Sequence, residues 1–301
     1  MAEFINENFN HLKIHSQYSI CEGAIKIDDL KNFSKENSIK SLALCDTTNL
    51  CGALEFAEKI SKVGTQPIIG TQINFKFGET VGLLPLYALN EQGYKRVIEL
   101  SSLSFLKNDA LSDPHLDLQE LFSKNEGVAI FSGTVFGLFG KLFDKGKFTE
   151  IGELYSKIKS NYQDRFYIEI QRHEDLNEVS FEKFNLAKSL ELEIPLIATN
   201  EVYYIKKDMH EAHDALICIK NKTYVNEKNR IKLSSQHYFK DNDEMSKLFK
   251  DLPEALYNNY NFPLRCNFRP LFSKPILPNI SSDKGGNADI ILKKDSLEGL
   301  K

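Results

Sequence analysis

The stretch SLALCDTTNLCGALEFAEKISKVGTQPIIG, from Ser41 to Gly70, decides the fold class. Leu42 to Cys45 is a run of apolar residues ending at Asp46, which reads as a strand covered on both faces. Leu54 to Val63 carries helical spacing, and Thr65 to Ile69 is a second buried strand, stopped by Gly70. Apolar strands separated by helices are what a parallel sheet with helices on it requires.

The same alternation extends in both directions. His11 to His15 is extended, and Asp28 to Glu36 is a helix with Ile27, Leu30 and Phe33 on one face. Strands are predicted at Leu83–Leu89, Val128–Phe131, Phe166–Ile170 and Pro195–Ala198, with helices at Glu91–Ser101, Ile151–Ser160 and Phe181–Leu190. An α/β barrel fits this better than a doubly wound open sheet, because polar residues gather after the carboxyl ends of several strands. Past about residue 205 the helices Asp208–Ile219, Asp243–Phe249 and Pro253–Tyr260 follow. From Arg269 the chain turns irregular, with Pro270, Pro275, Pro278 and a polar run from Ser281 to Gly286 before a helix at Leu292–Leu300. The expected division is a barrel domain over residues 1–265 and a linker with the start of another domain over 266–301.

With 301 residues, 42% hydrophobic and 27% charged, the chain has an ordinary globular composition and can bury a large core. A net charge of −4 argues against a nucleic-acid grip, and the basic stretches at Lys206-Lys207 and Lys220–Lys232 are interrupted by acidic residues. No signal peptide or spanning segment is visible. The five cysteines form no CxxC pair and sit in apolar surroundings, which reads as buried free thiols in a reducing cytoplasm.

Side chains at the carboxyl ends of barrel strands are the functional candidates. His11, Lys13 and His15 share one face of an extended segment, and Asp46 closes the next strand. Two imidazoles and a carboxylate could hold a divalent ion, but an ammonium between them opposes a second cation. His210 and His213 stand three apart on a helix with no third ligand, so an exposed or capping role is expected. His173 falls just past a strand end and is read as structural. Ser132-Gly133-Thr134 reads as a tight turn, with phosphate binding as the rival. No nucleophile elbow, P-loop or dinucleotide fingerprint occurs.

Several long segments are similar, in order and spacing, to the N-terminal polymerase-and-histidinol-phosphatase (PHP) region of bacterial replicative DNA polymerase III alpha subunits. They include FNHLKIHSQYSICEGAIKIDDL, SLALCDTTNLCGALEF, GTQPIIGTQINF, ALNEQGYKRVIELSS, IPLIATNEVYYIKKDMHEAHDALICI and HYFKDNDEMSKLFKDLPEALYNN. The tail KPILPN resembles the passage into the polymerase palm.

The resemblance implies a distorted (β/α)7 barrel. It also implies a site at which, in intact members, nine side chains hold a trinuclear metal cluster for phosphoester hydrolysis. Those positions are Lys13, His15, Asp46, Thr47, Gln72, Leu83, Thr134, Glu201 and Tyr203 here. His15 and Asp46 keep the family's residue and Glu201 keeps its charge, so no metal is expected. Lys13 is expected to stand in for a cation beside Asp46 or Glu201. By the same resemblance the domain is a scaffold that docks the proofreading exonuclease (epsilon) subunit within the polymerase III holoenzyme. The palm carboxylates that bind Mg2+ lie outside this sequence. An active phosphoesterase or proofreading nuclease, and a free-standing replication adaptor, are the rival readings.

Overall fold

The computed structural model describes residues 8–109, 111–275 and 287–301. The expected polar run from Ser281 to Gly286, and Pro278, lie outside the described residues. Two compact units are distinguished, Met1–Leu271 and Phe272–Lys301.

The first unit is built on one sheet. Its strands are β1 (His11–Ile14), β2 (Ser41–Thr47), β3 (Gln66–Phe77), β4 (Thr80–Ala88), β5 (Leu116–Asp117), β6 (Val128–Phe131), β7 (Phe166–Ile170), β8 (Leu196–Ala198) and β9 (Glu201–Val202). Their order is β8-β7-β6-β4-β3-β2-β1-β9, with β5 beside β3. The strands at the two ends of this order, β8 and β9, are joined in the chain by Thr199 and Asn200 alone. The sheet therefore curls toward closure as a half-barrel, in keeping with the barrel that the residue pattern predicts and the distortion that the resemblance implies.

Two expectations are corrected. β3 does not stop at Gly70 but continues to Phe77, and the chain turns at Gly78 (φ 57°) straight into β4. Gly70 is there for clearance: a Cβ on it would lie 2.6 Å from the Tyr87 ring. The strand predicted at Leu83–Leu89 consequently runs antiparallel to both β3 and β6. A connection of two residues can make a hairpin but leaves no length for a crossover helix, so the sheet is mixed rather than all parallel.

Alternation within each strand sorts side chains into two cores. In β2, Ala43 and Cys45 join an inner cluster with Leu12, Ile68, Tyr87, Ala129, Phe131, Tyr167 and Ile197. Leu42 and Leu44 face outward onto α1 (Ile27–Glu36) and α2 (Ala53–Ser61), through Leu30, Phe56 and Ile60. Outside β4, β6 and β7, the covering helices are α3 (Glu91–Leu106), α4 (Leu138–Asp144), α5 (Phe148–Tyr162) and α6 (Glu178–Leu192). α7 (His210–Asn221) and α8 (Asn242–Leu248) follow β9. α9 (Pro253–Asn261) then leads into a single 3-10 turn whose Phe262 plugs the inner cluster. Phe268 stacks on Tyr94 at 5.2 Å, so the chain is still packed on this unit beyond residue 265.

In the second unit, α10 (Ala288–Gly299) is capped by the Asn287 side chain, which accepts from Asp289 N at 2.9 Å, and buries no residue. Among the described residues no helix is long and apolar enough to cross a membrane. Cys45, Cys218 and Cys266 are buried thiols as predicted, but Cys21 is half-buried and Cys51 exposed.

Candidate functional site

β1 enters the barrel with Lys13 fully buried at its carboxyl end, paired with Glu201 on the neighbouring β9. Lys13 Nζ lies 3.4 Å from Glu201 Oε1 and 3.5 Å from Glu169 Oε1, the latter projecting from β7. Both contacts exceed hydrogen-bond geometry, and Nζ has no hydrogen-bond partner, so the attraction is one of charge. Burial alone would lower the Lys13 pKa, but Glu169 and Glu201 overcome it and the net direction is upward. For Glu201, burial would raise the carboxyl; the Lys13 charge and the His15 hydrogen bond hold it well below the usual range.

Glu201 Oε1 is the hub. Gln72 Nε2 donates to it at 2.9 Å, and His15 Nε2 lies 3.1 Å away. Gln72 Nε2 is also 3.1 Å from His15 Nε2, and Tyr203 stacks on the His15 ring at 4.6 Å. Glu169 Oε1 is held by the side chains of Gln171 and Thr199, while its Oε2 is buried without a partner.

Of the two partners expected for Lys13, Glu201 is the one it meets, and Asp46 is engaged elsewhere. Its carboxylate accepts from Ser16 N at 2.7 Å, Ser16 Oγ at 2.8 Å and Ser19 Oγ at 2.7 Å, all from the loop after β1. Thr47 N donates to the same Ser19 Oγ at 3.0 Å, and Thr47 Oγ1 is buried and unpaired. Leu83 is half-buried on β4. Thr134 lies in the turn after β6, where Gly133 adopts φ 82° and Ser132 Oγ accepts from Glu169 N at 2.9 Å.

Of the positions named from sequence, Lys13, His15, Gln72, Glu201 and Tyr203 are thus in mutual contact, with Asp46 and Thr47 one serine away. Leu83, on β4, carries no donor atom, and Thr134 lies in the turn after β6.

A trinuclear metal cluster does not fit these residues. The Lys13 ammonium stands within 3.5 Å of both buried carboxylates, and Gln72 turns its N–H donor toward Glu201. Leu83 supplies no donor atom. A further cation placed there would meet the ammonium in a low-dielectric setting.

His11, His210 and His213 are held within the fold by their neighbours. His11 is wedged between Phe239 (3.7 Å) and Phe9 (5.2 Å), and burial brings its pKa down to about 3. His213 is not exposed as predicted: its Nε2 reaches the Glu22 carbonyl at 2.7 Å, and burial lowers it to about 4. His210 Nδ1 lies 3.3 Å from the Tyr204 hydroxyl. His173 meets two residues the sequence reading missed. Ligand atoms of His173, Asp175 and His237 all lie within 4.8 Å of one another.

Glu169 was also missed, although the sequence held a signal. It is the lone charge in the strand FYIEI, every residue of which is buried. His237 and Asp175 carried none, being far apart in sequence and brought together by the loop before α8.

The PHP domain family model matches residues 11–173. This chain belongs to the PHP domain family. The PHP assignment agrees with curated relatives described as DNA polymerase III subunit alpha. The chain is 35% identical to the protein from Caulobacter vibrioides over 309 residues, covering 100% of this chain and 27% of the relative. It is 38% identical to that from Rickettsia conorii, covering 97% and 25% respectively. The chain therefore spans about a quarter of the length of these curated relatives. Among solved structures, an amidohydrolase from Chromobacterium violaceum, with bound sulfate and no metal, is similar at 10% identity and a TM-score of 0.46, covering 64% of this chain and 87% of that one.

Proposed function

We propose that this PHP domain belongs to a bacterial replicative DNA polymerase III alpha subunit and works there as a non-hydrolytic scaffold. The supporting observation is Lys13. Its ammonium stands against both Glu169 and Glu201, where a bound cation would otherwise stand. An internal cation satisfies buried carboxylates and fixes their positions without supplying a Lewis acid or an activated water. In this reading the PHP domain stabilises the polymerase and docks the proofreading exonuclease subunit. DNA synthesis, with Mg2+ held by palm carboxylates, belongs to the rest of the protein. Two measurements test it together. The purified chain, supplied with Zn2+, Mn2+ or Mg2+, should release no phosphate from a phosphomonoester and no nucleotide from single-stranded DNA. It should also co-elute with the exonuclease subunit from the same genome. Metal-dependent hydrolysis abolished by Glu201→Gln would establish an active phosphoesterase instead, and failure to co-elute would remove the docking role.

A further inference from the structure

We infer that His173, Asp175, Glu178 and His237 form a second, separate site that takes one divalent transition-metal ion of the zinc class. The residues come from three places on the fold. His173 and Asp175 follow the carboxyl end of β7, Glu178 opens α6, and His237 lies in the loop before α8. Both imidazoles are buried, and their rings stack 4.2 Å apart and 1° from parallel.

The hydrogen bonds fix which nitrogens carry protons. His237 Nδ1 lies 3.2 Å from the Glu201 carbonyl, which can only accept, so Nδ1 bears the hydrogen. His173 Nε2 lies 3.0 Å from Asn200 Oδ1. That oxygen is identified by its neighbours, since Lys240 Nζ donates to it at 3.1 Å and Asn200 Nδ2 donates to the Tyr238 carbonyl at 2.9 Å. The Glu201 N–H, 3.2 Å from the same Nε2, is the one contact of opposite sense, and the longer of the two. With the hydrogen on Nε2, Nδ1 keeps its lone pair and is buried without a hydrogen bond.

Each ring therefore turns its other nitrogen toward a carboxylate. His237 Nε2 is 3.0 Å from Asp175 Oδ2, and His173 Nδ1 is 3.5 Å from Glu178 Oε1. Lone pairs facing carboxylate oxygens need positive charge between them. Protons on both rings would stack two imidazoliums face to face, which repel strongly when buried. A single proton on His237 serves Asp175 but not His173 Nδ1, where a proton on Glu178, whose carboxyl burial pushes up to about 7, is the ion's competitor. One dication supplies it to both at once, and with two carboxylates the site is neutral. The two separations bracket the edge of a tetrahedron with bonds of about 2.0–2.1 Å, which is roughly 3.3 Å. The ligand atoms of His173, Asp175 and His237 lie within 4.8 Å of one another, with Glu178 against His173, so binding one ion draws these groups inward. The outer nitrogens are already held by an amide and a backbone oxygen, as in orientated metal-binding histidines. A cavity of about 20 Å³, large enough for one water, touches the carboxylate side of the site at Asp175 and Glu178 and not the two imidazoles. The ion would clamp the start of α6 and the His237 loop onto the backbone of Glu201.

This site uses side chains distinct from those of the Lys13 centre, although both abut Glu201, and the test separates them. The full chain is stripped with a chelator, loaded with Zn2+, desalted and assayed for metal, in a Cys51→Ser background that removes the exposed thiol. The wild-type site and a His15→Ala variant should each keep one equivalent and gain thermal stability on loading. His237→Asn and Asp175→Asn should each keep less than about a tenth of an equivalent. Co2+ in place of zinc should give the visible absorption of a tetrahedral ion, lost in Glu178→Gln even if His237→Asn fails to fold. No retained zinc in the wild-type sites, or one equivalent retained by a folded Asp175→Asn, overturns the inference. Loss in His15→Ala alone would place the ion at the Lys13 centre and overturn the scaffold reading instead.

Discussion

Lys13 Nζ lies 3.4 Å from Glu201 Oε1 in a layer where the lysine side chain has no exposed surface and the glutamate is 6% exposed. The pair sits on adjacent strands, β1 and β9, and Glu169 approaches from β7 on the far side of the β8–β9 junction. One ammonium thus ties together both ends of the sheet, which makes its removal more costly than the loss of a surface ion pair.

Lys13→Met keeps most of the volume and deletes the charge, leaving two buried carboxylates beside each other. We expect a loss of about 3–5 kcal/mol in urea unfolding. Adding Glu169→Gln and Glu201→Gln should restore part of it. Unchanged stability of Lys13→Met, or of Lys13→Ala, would show that the carboxylates are satisfied some other way. Because the Glu201 pKa is held low in the fold, its share of the stability is present above the unfolded carboxylate range and is lost as pH falls through the lower folded value. Glu201→Gln should therefore be less sensitive to acid than the parent chain.

His213 gives a pH dependence in a higher window. Its pKa is 6.5 unfolded and about 4 when buried against the Glu22 carbonyl, so the unfolded chain takes up the proton first. Stability should fall as pH drops from 6.5 toward 4, by about 2 kcal/mol between roughly pH 7 and pH 5 from this group. The difference in unfolding free energy between those two pH values should shrink by that amount in His213→Gln. An identical slope in both proteins would show that His213 is not the titrating group.

Gly93 sits in the first turn of α3, where a Cβ would lie 1.8 Å from the Gly127 carbonyl oxygen. Asn90 locks the same spot, its side chain accepting from Gly93 N at 2.9 Å while the backbone of Gly127 passes over it with φ 70°. The obstacle is backbone, which cannot swing aside as a side-chain tip can. Gly93→Ala should cost about 1–3 kcal/mol in chemical denaturation. A variant as stable as the parent would mean that α3 can slide outward freely.

Asn259 on α9 is fully buried and closes the barrel seam. Its Nδ2 donates at 2.9 Å to both the Asn10 and Ala198 carbonyls, and its Oδ1 accepts from Asn10 N at 2.8 Å. Asn259→Ala leaves three backbone groups unpaired and should cost about 2–4 kcal/mol. A chain cut after Leu271 should melt with the parent, whereas one cut before α9 should not fold cooperatively. Cooperative melting of the shorter piece would show that α9 is dispensable.

Residue order alone determined the alternation of strands and helices, because apolar runs and helical spacing are local signals that burial then enforces. It also pointed to the family, through long segments in order and spacing, while Leu83, Gln72 and Tyr203 declare their own chemistry by identity. What tertiary structure decided was pairing. Gly70 looked like a strand stop in the sequence, but the Tyr87 ring packed against it shows that it gives clearance within a strand, which no local pattern encodes. Lys13 chose Glu169 and Glu201 over Asp46 because the loop after β1 supplies Ser16 and Ser19 to Asp46 first. His237 met His173 and Asp175 only because the chain returns over β9 after α7, across some sixty residues. Electrostatic partnership acts through space over a few ångströms, and only the curled sheet sets those distances.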